Sequence, residues 1–325
     1  WSGSALGGAA ILLEIGAEYG VIDVLRSGRT LDARTVAEAA ALAAVMAAKY
    51  LDVLRCAGLV EAAEDDPDGK RVRGVAELDD LVNAVGYVAW GLRACAPLID
   101  HARDFARDLG SACAAYPRDG GLVGRTSRWM GEQDFYPQAE GVMLGLRPER
   151  IVDLGSGAGR LLIKLLRALP EASGVGVDVS AGGCAQARAA AREAGMEDRL
   201  HIFERSIQSL VDDPSPLRGA DVIHAGWVFH ELLPEDEPCL DKLLVACRTT
   251  ASTGTLVIVD GVPYAPAEDE RMFSAGYSYL HDSFMGRRLL TEEEWRRKLS
   301  QAGFARVDVE TLGIPGGRLF AARAK

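Results

Sequence analysis

Up to about residue 147 the apolar positions recur at helical spacing. Segments 5–26, 34–40, 44–57 and 78–115, the last with a break at Pro97, carry them at i, i+3 and i+4 and predict helices. TLDARTVAEAAAL followed by AAVMAAKYLDVLRCAGLVE predicts a helix-turn-helix, and GLVEAAEDDPDGKRVRG predicts a two-stranded wing turning at Pro67-Asp68-Gly69. From Arg150 the pattern changes. RIVDLGS, GVGVDVS, LHIFER, DVIHAGWVF and TLVIVDG are short apolar or β-branched runs, separated by amphipathic stretches such as GRLLIKLLRALPE and AGGCAQARAAAREAG. Such alternation predicts a parallel sheet covered on both faces. At the end a helix, TEEEWRRKLSQAG, precedes FARVDVETL and GRLFAARAK. The short GIPG turn between these last two strands requires them to be antiparallel. Two regions are therefore expected: a helical, winged-helix-like part over residues 1–147, and an α/β doubly wound domain with an antiparallel last strand over 148–325.

A winged helix invites a DNA-binding reading, but the net charge of −11 and the acidic turn EDDPD oppose it, because a polyanion would be repelled. A helical dimerisation and lid module is the competing reading. No apolar run reaches the ~18 residues of a membrane span. The opening WSGSALGGAAILLEIGAEYG lacks a basic start and carries Glu14 and Glu18, unlike a secretory leader. Cys56, Cys95, Cys113, Cys184, Cys239 and Cys247 are scattered, as expected of buried, reduced thiols in a cytoplasmic protein. Neither nucleic acid nor membrane is an expected partner.

The sharpest motif is IVDLGSGAGR. Gly155, Gly157 and Gly159 allow a tight strand-to-helix turn whose backbone N–H groups can approach a ligand. A dinucleotide fingerprint needs a small residue where Arg160 stands, which disfavours a nicotinamide dehydrogenase. Asp153, just before the glycines, suits a cationic amino group and would repel a pyrophosphate. Asp178 closes the next strand about 20 residues on, where a carboxylate can take ribose hydroxyls.

These residues resemble class I S-adenosylmethionine-dependent methyltransferases, which have a Rossmann-like sheet. The N-terminal half is similar to dimeric small-molecule O-methyltransferases with a winged-helix-like dimerisation domain. The resemblance implies a homodimer that binds S-adenosylmethionine. Ser206 and Ile207 would flank its adenine, and Ala225, Gly226 and Trp227 would line its methionyl part. That family has an acidic residue after the third strand, where this chain reads FERSIQ. A regulator that binds S-adenosylmethionine as an effector is a reading from another class, and the acidic charge opposes it.

The loop after the fourth strand reads WVFHELLPEDE, and a His near neutral pKa such as His230 can act as a general base. His224 and His201 lie within strands and are expected in the core or at an edge; His101 lies on a helix. His281, in YLHDSFMGRRLLTEEEW, precedes the penultimate helix in a segment expected to fold over the substrate. HEL and YLHDSF are similar to the metal-dependent, non-haem-iron C-methyltransferases of α-keto acids such as phenylpyruvate. By that resemblance His230 and His281 hold a divalent or trivalent transition metal, iron or zinc, and Glu231 helps to activate the substrate. The metal, chelated by carboxylate and keto oxygen, stabilises an enolate whose β-carbon takes the methyl group. The alternative is a metal-independent O-methyltransferase with His230 as base. Among Arg118, Arg125 and Arg128, Arg118 is the favoured partner for the substrate carboxylate, with Trp90 and Tyr136 as aromatic walls.

Overall fold

The computed structural model describes residues 1–64, 66, 69–250 and 254–324. They form two compact units. Trp1–Asp100 with Pro117–Glu132 make the first, and His101–Tyr116 with Gln133–Lys325 the second.

The first unit is a helical cluster with a small wing. The expected helix over 5–26 is two, Gly3–Glu18 and Val21–Arg26, because Gly20 takes a left-handed conformation (φ 68°) between them. Helices Ala33–Ala39 and Ala44–Cys56 follow, the former capped by Asp32, which accepts from the Thr35 N–H. Strands β1 (Val60–Ala62) and β2 (Val72–Gly74) pair antiparallel as the expected wing. Of its turn, Pro67 and Asp68 lie outside the described residues. The helix Leu78–Ala89 widens into a π-helical turn, Trp90–Ala94, and ends at Cys95. The break expected at Pro97 thus comes earlier. Pro97 sits in the first turn of the next helix, Ala96–Asp100, where a missing N–H costs no bond. Leu13, Ile22, Leu54, Val82, Val85 and Trp129 fill the core. Trp129 lies on the helix Gly120–Asp134, a segment for which periodicity predicted no element.

The second unit carries a seven-stranded sheet. Its strands are β3 (Arg150–Leu154), β4 (Ser173–Asp178), β5 (Leu200–Glu204), β6 (Val222–Gly226), β7 (Thr255–Gly261), β8 (Arg306–Thr311) and β9 (Gly317–Arg323). Their order is β5-β4-β3-β6-β7-β9-β8. The first five are mutually parallel, and β9 runs antiparallel to β7 and β8. This is the Rossmann-like plan with the antiparallel ending. β7 is buried at every residue, which explains its unbroken apolar run. Leu154, Val177, Ile223, Phe229, Trp295 and Phe320 belong to the core. The chain winds one way from β3 to β5 and the other way from β6 to β7. That reversal falls between β3 and β6, and open α/β sheets receive ligands at the carboxyl ends of the strands at such a point.

Only Cys95, Cys184 and Cys247 are buried thiols. Cys56 and Cys113 are exposed, contrary to expectation, and all six are free. No helix among the described residues is long and apolar enough to cross a membrane.

Candidate active site

The glycine motif forms the turn between β3 and the helix Arg160–Ala168. Gly155, Gly157 and Gly159 all have positive φ (74°, 50° and 70°), so side chains there would strain the backbone. The Gly155 and Ser156 N–H groups donate to the Val177 carbonyl. A Cβ on Gly157 would meet nothing within 4 Å, so the loop faces open space. Asp178, ending β4, accepts from the Gly157 N–H and the Ser180 N–H, both at 2.8 Å, and braces the loop. Asp153 is buried at 4% exposure beneath the motif. Ser206 precedes a 3-10 turn, Ile207–Leu210, after β5. Ala225 and Gly226 end β6, and Trp227 follows with a left-handed backbone (φ 54°) and an indole N–H buried without a partner. The residues expected to hold the cofactor thus stand at or just beyond the carboxyl ends of adjacent strands. Their donor set fits S-adenosylmethionine: carboxylates for an ammonium and for hydroxyls, a bare backbone loop, and no basic side chain among them.

His230 lies in a 3-10 turn, Phe229–Leu232, beyond β6. Its Nδ1 stands 2.7 Å from Oδ1 of Asp260, near the end of β7, and its Nε2 lies 3.6 Å from Oε1 of Glu231. Asp260 is 1% exposed, and its Oδ2 is buried without a hydrogen-bond partner. Burial opposes a charge on His230, but the adjoining Asp260 carboxylate, with Glu231, outweighs it and raises the imidazole to about 10. The hydrogen bond to His230, reinforced by Arg287, holds Glu231 down at about 2 against its own burial. Arg287 donates to Glu231 at 3.0 Å and to Glu235 at 3.3 Å.

His281 is buried near the end of the helix Arg271–Phe284. Its Nδ1 donates to the Tyr277 carbonyl at 2.8 Å, and its ring stacks on Tyr277 with centroids 3.9 Å apart. The rings of His230 and His281 meet edge to face at 5.4 Å. Each Nδ1 faces an oxygen that can only accept, so in the neutral rings Nε2 is the coordinating atom. That is how metal-binding histidines are oriented. Among the described residues no group of three His, Cys, Asp or Glu side chains converges for a metal. The two imidazoles could supply at most two ligands to a metal, and any further ligand would have to come from outside this set.

An aromatic chain continues from His281 through Tyr277, Trp227 (6.0 Å from Tyr277) and Phe135 (5.5 Å) to Tyr136 (4.5 Å). Tyr136 therefore belongs to the same body of residues as the histidines. Trp90 and Arg118 are in the first unit; Trp90 is buried at the start of the π-helical turn, and Arg118 lies beside the Cys95 thiol. There too Arg125 pairs with Glu14 and Glu18, and Arg128 pairs with Asp23. Sequence reasoning missed Asp260, Tyr277, Phe135 and Arg287. Asp260 was findable: VIVDG puts an acid at the end of an apolar strand, as VDLG and VDVS do. Tyr277 precedes His281 by one helical turn.

Residues 151–249 match the family model described as a methyltransferase domain. Over these residues the chain carries a methyltransferase domain. It is 28% identical to indolepyruvate C-methyltransferase of Streptomyces griseus over 201 residues, covering 60% of this chain and 58% of that protein. It is 27% identical to desmethylxanthohumol 6′-O-methyltransferase of Humulus lupulus over 178 residues, 53% of this chain and 45% of that protein. The matched stretch therefore spans less than two thirds of these relatives' own lengths. Among solved structures, human N-acetylserotonin methyltransferase in complex with its cofactor superposes with a TM-score of 0.60, at 17% identity, over 97% of this chain and 93% of that one. A riboflavin-type dimethyltransferase from Streptomyces davawensis gives 0.59, at 20% identity, over 97% and 95%. At these identities the structural likeness is one of fold.

Proposed function

We propose that this chain is a C-methyltransferase that places the methyl group of S-adenosylmethionine on the β-carbon of an α-keto acid, acting in secondary metabolism as a homodimer. The carrying observation is the edge-to-face pair of His230 and His281, each with Nδ1 committed to an oxygen acceptor. The relative named as an indolepyruvate C-methyltransferase, whose named substrate is an α-keto acid, supports the same reading.

A β-carbon next to a ketone is a weak nucleophile until a proton leaves it. Two carboxylates, Asp260 and Glu231, make the spot around His230 favourable to positive charge. A transition metal bound there, iron or zinc, would supply Lewis acidity to the keto group and would displace the imidazole proton. The protein's own part is placement and dehydration: Tyr277, Trp227 and Phe135 present ring surface next to the histidines and keep water from the reacting carbon.

The second reading is a metal-independent O-methyltransferase, favoured by the His230–Asp260 dyad, which would orient His230 as a general base once the imidazole has given up the proton that Asp260 and Glu231 stabilise. Incubation with S-adenosylmethionine and phenylpyruvate, then with a phenol, tests the choice. The proposal expects a new carbon–methyl doublet at the β-position by NMR; an O-methyl singlet formed on the phenol alone would overturn it.

A further inference from the structure

His224 was expected to be a core residue, and it is buried, but it does not pack as an apolar side chain would. Its Nδ1 lies 2.7 Å from Oδ1 of Asp153, with both side chains only 6% exposed. Asp153 and His224 are register partners on β3 and β6, the two strands between which the winding of the sheet reverses. The dyad therefore spans the two strands at the point of reversal, where sheets of this plan receive ligands. A carboxylate can only accept, so Nδ1 carries the proton and occupies one acceptor oxygen; Oδ2 is the atom left for a cation.

We propose that His224 is a positioning residue of the cofactor site, holding the Asp153 carboxylate in place to receive the ammonium of the amino-acid part of S-adenosylmethionine. This rests on the reading of Asp153 as that ammonium's acceptor. Two further features carry it. Gly226, two residues along the same face of β6, makes room for the ring: a Cβ there would lie 2.9 Å from His224 Cε1. The chain thus keeps the imidazole in place at the cost of any side chain at 226, itself a position expected to line the methionyl part. Moreover, burying a polar pair carries a desolvation penalty that an apolar pair would avoid, so a tie between two strands alone gives the chain little reason to keep it. β6 and its loop in fact commit one histidine to an aspartate of each neighbouring strand, at the same 2.7 Å: His224 to Asp153 of β3, and His230 to Asp260 of β7.

The test compares ligands with and without the amino-acid group, by calorimetry on the full chain. His224→Phe keeps a ring and removes the donor; His224→Asn keeps a donor at the Nδ1 position. S-adenosylmethionine and S-adenosylhomocysteine should bind the Phe variant about 10-fold more weakly, the size expected for one hydrogen bond to a charged group. Binding of 5′-methylthioadenosine, which lacks the amino-acid part, should not change, and the Asn variant should recover most of the loss. Equal weakening of all three ligands would mean general damage to the loop and would overturn the proposal, as would wild-type affinity throughout. Should the Phe variant not bind 5′-methylthioadenosine at all, His224→Leu, which also lacks a donor, carries the same contrast. Asp153→Asn separates the two levels: unchanged S-adenosylmethionine affinity there ends the ammonium reading itself. A loss there, with an unaltered His224→Phe, removes only the role of His224.

Discussion

His230 and Asp260 are 30 residues apart in the chain and 2.7 Å apart in the fold. Parallel pairing of β6 and β7 makes the contact, because it brings the loop after one strand alongside the end of the other. Asp260 also accepts from the Gly261 N–H at 2.8 Å, so its Oδ1 is fixed before the imidazole arrives. The histidine is thus aimed by a rigid sheet edge rather than by its own loop.

Asp260→Asn keeps the shape and removes the charge. Activity should fall about 10–100-fold, the usual cost of losing a group that orients a reacting or metal-bound histidine. The imidazole should also lose most of its upward shift, because Asp260 is the largest cause raising it. An NMR titration of His230 in wild type and variant checks this; identical titration curves would remove Asp260 from the site.

Asp178 braces the glycine loop through Gly157 and Ser180 and is expected to take ribose hydroxyls. Asp178→Ala should weaken S-adenosylmethionine binding by ~1.5–3 kcal/mol, the range for charge-assisted hydrogen bonds. Here 5′-methylthioadenosine should weaken too, since it keeps the ribose, unlike the outcome expected at position 224. Calorimetry giving wild-type affinity would refute the assignment.

The sheet plan was legible because apolar strand runs and glycine turns are local signals. RIVDLGS and TLVIVDG announce buried strands, and GIPG requires the antiparallel end. The places of Asp153, Asp178 and His230 at or beyond strand ends were legible for the same reason, since each sits next to such a run. Asp260 as a partner of His230, and His224 as a partner of Asp153, were not, because lateral strand order decides them and periodicity does not carry it. The helix expected over 78–115 failed differently. Its apolar spacing continues through residues 90–94, but the backbone there widens into a π-helical turn, and His101 and Asp108 interrupt the segment again.

Just before the helix that carries His281 stands Glu270, which pairs with Arg318 at 2.7 Å and accepts from the Gly316 N–H. The Arg318 hydrogen bond lowers the Glu270 pKa below the ordinary glutamate value of 4.5. A carboxyl whose folded pKa is depressed contributes stability that is fully present above 4.5 and lost as pH falls through the lower, folded value. Denaturant melts should show that part of the stability constant near pH 7 and declining below about pH 4.5. Glu270→Gln should cost about 2–4 kcal/mol at pH 7 and flatten the acid limb. A variant with the same acid limb as wild type would show that other carboxylates govern it.

Assembly is tested separately. Ile11 and Ile15 lie one turn apart on the helix Gly3–Glu18, 64% and 37% exposed. An apolar face of that kind is suited to a second copy around a two-fold axis. Sedimentation at micromolar concentration should give twice the 34.7 kDa chain mass, and Ile11→Lys should shift it toward the monomer. A monomeric wild type would exclude the dimer.

The decisive prediction separates carbon from oxygen methylation. If His230 and His281 share a metal, both imidazoles must be neutral and both are needed, since two ligands are already a small set. His281→Ala should then abolish bound metal, measured by elemental analysis, together with methyl transfer to an α-keto acid, while S-adenosylmethionine still binds. His230→Ala should do the same. A metal-free O-methyltransferase behaves otherwise: His230→Ala is inactive, His281→Ala is mild, and a chelator does nothing. The 5.4 Å edge-to-face contact makes the comparison sharp, because either alanine leaves the other ring on its own anchor, Asp260 or the Tyr277 carbonyl. Loss of metal in both variants is therefore a loss of ligands rather than of fold, and circular dichroism on the same samples verifies that. Full turnover by chelator-treated wild type, with no metal left, would end the metal reading and leave His230 to act as a base.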